Sequence, residues 1–326
     1  MSGLANVQFW AFVGVVAGIF TIFALGLQIQ FGFTGLLNFG HVAFMGIGAY
    51  TMAILIVKVG LSTWLAALIA IAVAMAFGLL LGLPTLRLRA DYLAITTIAF
   101  GEIVRYVALN EHDLTGGPQG TINLTGAGAA ASYNSEWLAF QSSVQEGLER
   151  VIGDIASRDV TMLVLVWTVA LLAIVLLELA VRSPWGRVLR SIREDEDAAA
   201  ALGKNVFAYK LQALAVGAAL GALAGLFFAF QFSFFSPRDF EPLTTFFAYV
   251  IVILGGTAKN WGVPVGAIIF GIIFAGTRFL DFAPLSYLDS AERAYVRLII
   301  VGLLLIGLMA FRPQGIFGKR EEMVLE

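Results

Sequence analysis

Residues Met1 to Val57 contain no Lys, Arg, Asp or Glu, and this uncharged opening restricts the chain more than any other stretch. An apolar helix needs about 20 residues to cross the hydrocarbon layer, and the run from Trp10 to Ile29 is already long enough. Comparable runs recur almost to the C-terminus, roughly nine of them by that length criterion. With 60% of residues hydrophobic and 13% charged, little chain remains for a soluble domain. Lipid offers no partner to backbone N–H and C=O groups, so runs of this length fold as helices. The expectation is an all-α polytopic integral membrane protein, one transmembrane domain over residues 1–326, with about 8–10 transmembrane helices.

Composition excludes several classes of chemistry. Cysteine is absent, which removes disulfides and thiolate ligation. Two histidines, His41 and His112, cannot build a metal cluster, and no metal or cofactor is expected. A net charge of -2, with no aromatic-interleaved basic patch, gives no reason to expect nucleic acid as a partner. The segment MSGLANVQFWAF lacks a basic n-region, so a cleaved signal peptide is not expected.

Within the apolar background, GFTGLLNFGHVAFMGIGAY (Gly32 to Tyr50) is glycine-rich and places Thr34, Asn38 and His41 at membrane depth. Such a segment is tolerated only when buried in protein or lining a cavity. A second span ends near Lys58, a third (Thr63 to Leu83) stops at Pro84, and a fourth (Tyr92 to Leu109) carries Glu102 and Arg105 on one helical face. Residues 110–159 form a polar extramembrane loop with an amphipathic helix around Trp137 to Ile155. Val160 to Val181 and Val206 to Phe235 are the fifth and sixth spans, on either side of a polar island. A shorter seventh element, Phe246 to Leu254, breaks at GGTAKNWGVP, and Val265 to Phe282 and Val296 to Phe311 complete the set. The glycine-rich breaks before Val42 and before Val265 hint at two related halves.

Lys and Arg in short loops set the orientation. A cytoplasmic island puts Arg87, Arg89, Lys259, Arg312, Lys319 and Arg320 on its own side by alternation. The 110–159 loop, residues 236–244 and residues 283–292 then lie outside, and together they hold few basic residues.

The island, Arg182 to Lys204, reads RSPWGRVLRSIREDEDAAAALGK. Ser183 caps a helix with Pro184 at its first position. Trp185, Val188, Leu189 and Ile192 recur at helical spacing, while Arg187, Arg190, Arg193 and Glu194 point away from that face. Asp195, Glu196 and Asp197 lead into a second short helix of alanines, ended by Gly203 in the left-handed conformation. Asn205 caps the next span. Two readings stand for this stiff charged knob: an ordinary surface helix of a positively charged loop, or a surface that mates with a groove on a partner.

Six stretches together resemble a known family: GLLNFGHVAFMGIGAY (35–50), LRLRADYLAITTIAFGEIVR (86–105), LTGGPQG (114–120), GRVLRSIREDEDAAAALG (186–203), FFAFQFSFFSPRDF (227–240) and FRPQGIFG (311–318). In this order, over nearly the whole chain, they resemble the LivM-type permease subunits of ABC importers for branched-chain amino acids. The resemblance implies that residues 182–205 are a cytoplasmic coupling segment fitting a cleft in an ATPase subunit, with Arg187, Arg190, Arg193, Glu194, Asp195, Glu196, Asp197, Ala200 and Gly203 in the contact. It also implies a second, related permease chain as heterodimer partner, two ATPase subunits, an extracytoplasmic substrate-binding protein, an amino acid substrate and a place in the bacterial inner membrane. The second glycine-rich break departs from the family's pattern at Ala258 and in the position of Pro264. Neither Gly203-Lys204 nor Gly318-Lys319 completes a Walker A motif, so ATP hydrolysis is expected on other chains.

For the translocation path the first candidates are Gly35, Asn38, Gly40, His41, Gly46 and Gly48, where an unwound backbone can meet a zwitterion; the competing reading is close helix packing through small residues. Glu102 and Arg105 suit an intramembrane ion pair, with a proton or substrate role as the alternative. Glu178 either reaches the interface or pairs with Arg182. In the outer loop, Thr115, Gly116, Gly117 and Gln119 suit either a plain rigid turn or a contact for a substrate-delivering protein. Other functions remain open to the sequence: an importer of urea or short amides, a proton-coupled carrier using His41, Glu102 and Arg105 as a relay, or a channel. Only the first of these shares a use for a docking segment.

Overall fold

The computed structural model describes residues 7–121 and 134–276, and beyond them residues 292, 295–296, 299–300, 302–303, 306–307, 311 and 315–317. The predicted last span as a continuous helix, residues 283–291 of the outer loop and the basic residues Arg312, Lys319 and Arg320 therefore lie outside the described residues. Among the described residues there is no strand. Six helices are long and apolar enough to cross a membrane, and two shorter apolar helices follow them.

In chain order, α1 (Val7–Leu27) continues into a π-helical turn (Gln28–Gly32), and α2 (Val42–Ile54) into a second one (Leu55–Val59). Then come α3 (Thr63–Thr85), α4 (Ala90–Asn110), the amphipathic α5 (Ser135–Ile152) and α6 (Arg158–Arg182). Two short helices, α7 (Pro184–Glu194) and α8 (Glu196–Ala201), form the island, and α9 (Val206–Phe232), α10 (Pro242–Gly255) and α11 (Gly262–Gly276) follow.

Helix placement follows from side-chain size. In α3 the buried positions Ala66, Ala70, Ala74 and Gly78 recur every fourth residue, making a small-residue stripe, while Leu68, Leu80 and Leu83 face outward. An exposed leucine is costly in water and comfortable inside a membrane, so those outer faces of α3, α4 and α6 are suited to lipid or to another membrane-embedded chain. The stripe of α3 packs on α9, the central helix of the bundle. Close approach to α9 is allowed by Gly217, Gly221 and Gly225, which sit on one face at four-residue spacing. A Cβ on Gly217 would lie 2.0 Å from Gln30 Nε2 and 2.7 Å from Gly26 O, and one on Gly225 would lie 2.1 Å from Met45 O. Backbone meets backbone there, and any side chain would force the helices apart. At the other side of α1, Trp167 Nε1 of α6 donates to Gly14 O at 2.9 Å.

The contacts agree with the alternation read from the loops. Arg87 stacks over Phe207 at the start of α9, and Asn260 Nδ2 donates to Glu178 Oε2 at 3.1 Å near the end of α6. Ile316 N donates to Leu254 O at 2.9 Å. These links share the end of the bundle that carries the island. At the opposite end, Thr63 N donates to Glu136 Oε2 at 2.6 Å, Asn134 Nδ2 to Ser233 Oγ at 3.1 Å and Thr121 N to Phe235 O at 3.1 Å. The helix α5 is pinned at that end by Trp137, stacked on Phe230 of α9 with centroids 4.1 Å apart.

Candidate functional site

The glycine-rich stretch after α1 is a true break, with non-helical backbone between the two helices, and it is buried in protein. Several of its polar groups are satisfied internally, as backbone in lipid requires, although the buried Nδ1 of His41 has no hydrogen-bond partner among the described residues. Gln30 Nε2 donates to Leu214 O at 3.3 Å, Asn38 Nδ2 donates to Gln30 Oε1 at 2.9 Å, and Asn38 Oδ1 accepts from Gly40 N at 3.0 Å. Thr34 Oγ1 donates to Gln30 O. Neighbouring helices close two further donors: Thr97 Oγ1 accepts from Phe39 N at 3.1 Å and Thr245 Oγ1 accepts from Val42 N at 2.9 Å. The Gln28 amide faces the second break, and an amide's orientation is assigned from its surroundings. With its oxygen toward that loop it accepts from Lys259 N at 2.8 Å and Ala258 N at 3.0 Å. The two breaks, far apart in sequence, are thereby joined.

The six path candidates occupy different surroundings. His41 is fully buried, lies 3.1 Å from Phe23 O through Nε2 and stacks on the Phe23 ring. A Cβ on Gly40 would come within 1.9 Å of Thr97 O, one on Gly48 within 2.6 Å of the Ala222 backbone and one on Gly46 within 3.2 Å of the Phe240 ring. Asn38 is buried in the network above, whereas Gly35 is exposed with φ +70°. Gly46 touches a small cleft of about 10 Å³ with Arg105 and Tyr50. The larger cavity, about 570 Å³, is reached from this stretch by Met45.

The island contains the two predicted helices. Ser183 Oγ accepts from Trp185 N at 3.2 Å, Asp195 Oδ1 from Ala198 N at 2.9 Å and Asn205 Oδ1 from Ala208 N at 3.1 Å. Gly203 has φ +76°. On α7, Leu189 and Ile192 are buried and Trp185 Nε1 donates to Gln212 Oε1 at 2.7 Å. The charged residues divide into two sets. Arg193 turns inward, and its Nη1 donates to Gly32 O at 2.8 Å while Arg190 lies over the Phe33 ring at 5.6 Å. Glu196 pairs with Lys210 of α9. Arg187, Glu194, Asp197, Ala200 and Gly203 stay exposed. Arg190 stays exposed, as the α7 wheel predicts, whereas the pointing of Arg193 away from the bundle is corrected: it reaches sideways to Gly32 at the end of the π-helical turn, because its long stem spans what a helical wheel counts as solvent.

One exposed residue was not singled out from sequence. Leu202 is 79% exposed at the tip of the knob. Its signal is a lone leucine closing an alanine run just before the helix-ending glycine.

Glu102 and Arg105 form an ion pair at 2.7 Å, reinforced by Arg105 Nε to Glu102 Oε1 at 3.0 Å and by the Arg105 guanidinium over the Tyr106 ring at 4.7 Å. Glu178 pairs with Arg182, Nε to Oε1 at 2.9 Å. In the outer loop, Thr115 Oγ1 donates to Ala108 O at 2.6 Å, and Gly116 and Gly117 have φ +81° and +62°. Gln119 is exposed beside them.

Broken helices buried in a bundle, with a stiff polar knob fastened to the break at one end, define a polytopic membrane protein of the transport-permease class. Residues 10–309 match the family described as branched-chain amino acid transport system / permease component, and the chain belongs to that family. It is 33% identical over 311 residues to the high-affinity branched-chain amino acid transport system permease protein LivM of Escherichia coli strain K12, covering 93% of this chain and 69% of that one. The LivM protein of Salmonella typhimurium stands at the same identity and coverage. The Escherichia coli strain K12 protein LivH is 26% identical over 325 residues, with 95% of each chain covered. No solved structure matches the chain.

Proposed function

We propose that this chain is a transmembrane subunit of an ABC importer in the bacterial inner membrane, moving branched-chain or similar hydrophobic amino acids inward by alternating access. In this reading it pairs with a related permease chain, receives substrate from an extracytoplasmic binding protein and is driven by two ATPase subunits. The observation that carries the reading is the knob of α7 and α8. It offers Leu202, Glu194, Asp197 and Ala200 outward while Arg193 holds Gly32 O behind it.

Each part of that arrangement has a physical use. An exposed leucine ringed by charged residues has the arrangement of a contact surface, an apolar centre within a polar rim. Short capped helices move as rigid bodies, so a push on Leu202 arrives at Arg193 without being absorbed. From there it reaches the end of α1, the first break and, through Gln28, the second break. The outer turn at Thr115 to Gln119, locked by its glycines and exposed at Gln119, is the proposed contact for the binding protein.

The test is uptake of labelled leucine by proteoliposomes holding this chain with its partners, with ATP supplied on the ATPase side. ATP-dependent uptake that needs the binding protein is the expected result. Uptake driven by a proton gradient in the absence of ATP and partners refutes the proposal and returns His41, Glu102 and Arg105 to the role of a relay.

A further inference from the structure

The cavity of about 570 Å³ has an unusual division of chemistry along its length. Its wall is phenylalanine from separate elements, Phe12 and Phe20 of α1, Phe228 and Phe232 of α9 and Phe247 of α10. Its other end is made by the connection between α9 and α10, where Ser236, Arg238, Asp239 and Glu241 contribute, and by Thr244 in the first turn of α10. That connection lies at the end of the bundle opposite the island. From Phe12 to Phe20 the wall descends about 12 Å along α1. At the bottom Phe20, Phe247, Phe270 and Phe274 close ranks, with Phe20 and Phe270 centroids 5.3 Å apart and Phe247 and Phe274 5.5 Å apart. One turn below Phe20, Phe23 stacks on His41 with centroids 4.8 Å apart.

The charged end has a division of its own. Asp239 is committed to the backbone, its Oδ2 accepting from Ser236 N at 2.7 Å and from Ser236 Oγ at 3.1 Å. Arg238 and Glu241, one of each sign, are exposed beside it. An aromatic wall rewards an apolar side chain, and a rim carrying both signs rewards a zwitterion. A cavity of a few hundred Å³ with a few convergent polar groups is of ordinary size for a small ligand.

We propose that this cavity is the outer substrate subsite of the permease, a site for the free amino acid. Arg238 takes the carboxylate, Glu241 takes the ammonium group and the Phe wall takes the branched side chain. The cluster of Phe20, Phe247, Phe270 and Phe274 is the inner closure of the site. This inference rests on the permease reading above and adds to it the residues that meet the substrate.

The chain contains no cysteine, so a single introduced thiol reports on one position. In proteoliposomes of the full transporter, Val16→Cys in the wall and Thr244→Cys at the rim are treated with a membrane-impermeant maleimide from the outer side. Both are expected to react, and free leucine is expected to slow the reaction about tenfold, as near-saturation of a site requires. Adding Arg238→Ala is expected to raise the half-protecting leucine concentration about tenfold, the loss of one charge-assisted contact at a partly solvated rim. Leucinol, which lacks the carboxylate, is expected to protect weakly and equally with or without Arg238.

Labelling that leucine leaves unchanged, in vesicles that take up leucine, overturns the subsite while the permease reading stands. Protection that follows added phospholipid and ignores leucine overturns it in favour of an acyl chain as occupant. Vesicles that take up no leucine by any route overturn both.

Discussion

Arg193→Ala separates the knob from the helix break behind it. In the intact chain Arg193 Nη1 donates to Gly32 O at 2.8 Å, and the arginine stem lies 3.8 Å from the position of a Cβ on Gly35. A hydrogen bond from a charged donor contributes about 1.5–3 kcal/mol when water is excluded. Arg193 keeps partial exposure, so water replaces part of the loss and the lower end, about 1.5 kcal/mol, is the working figure. That is about a tenfold change in the equilibrium holding α7 against the end of α1.

The amount of leucine accumulated per phosphate released, measured in proteoliposomes, is therefore expected to fall about tenfold, with ATP hydrolysis itself little changed. Arg193→Lys is expected to recover part of the loss, since an ammonium can still donate to a carbonyl but lacks the guanidinium's fork. Ser191→Ala is the control, because Ser191 is exposed on the same helix and its hydroxyl donates only to Val188 O of its own turn, at 2.9 Å. A transport-to-hydrolysis ratio in Arg193→Ala equal to that of the intact chain refutes the argument that force passes through this contact.

Leu202→Asp is expected to abolish binding-protein stimulation of the ATPase and to weaken copurification of the ATPase subunits, while leaving the amount of inserted permease unchanged on a membrane-fraction blot. Gly40→Ala sets a methyl within 1.9 Å of Thr97 O and is expected to cost about 1–3 kcal/mol as an overpacked contact, seen as a lower melting midpoint of the detergent-solubilised subunit. Glu102→Gln tests the ion pair against a relay: the amide oxygen can still accept from Arg105 Nε, so ATP-driven uptake is expected to persist, and loss of uptake at every pH speaks for a relay. Trp137→Ala removes the ring stacked on Phe230 and is expected to make α5 more accessible to protease from the outer side, read by the first cleavage fragment.

The helices and their ends were readable because each is set by near neighbours. Ser183 before Pro184, Asn205 before Val206 and Gly203 after the alanine run act within one turn, and the structure has all three caps. The alternation of basic links was equally local, and the contacts of Arg87 and Asn260 agree with it. What escaped the sequence needed distance. Arg193 and Gly32 are 161 residues apart, and the inward turn of the arginine depends on where α1 happens to end. The aromatic cavity draws its residues from several helices, none of which carries a motif for it. The π-helical turns at Gln28–Gly32 and Leu55–Val59 follow no composition rule that separates them from ordinary helix. The face of Gly217, Gly221 and Gly225, in contrast, was open to reading as a four-residue ladder of small residues, and it locates the packing centre more directly than the glycines of the break do.

That ladder limits how the bundle is able to move. Gly225 meets Met45 O, Gly221 meets Phe44 and His41, and Gly217 meets Gln30 and Gly26 O. A slip of one residue along α9 would replace three hydrogen atoms with Ala218, Ala222 and Leu226, side chains with nowhere to go. Sliding is thus closed to α9, whereas pivoting about the line of glycines keeps every contact at the same separation. The ladder thereby holds the register of α9 against α2 and against the turn that follows α1.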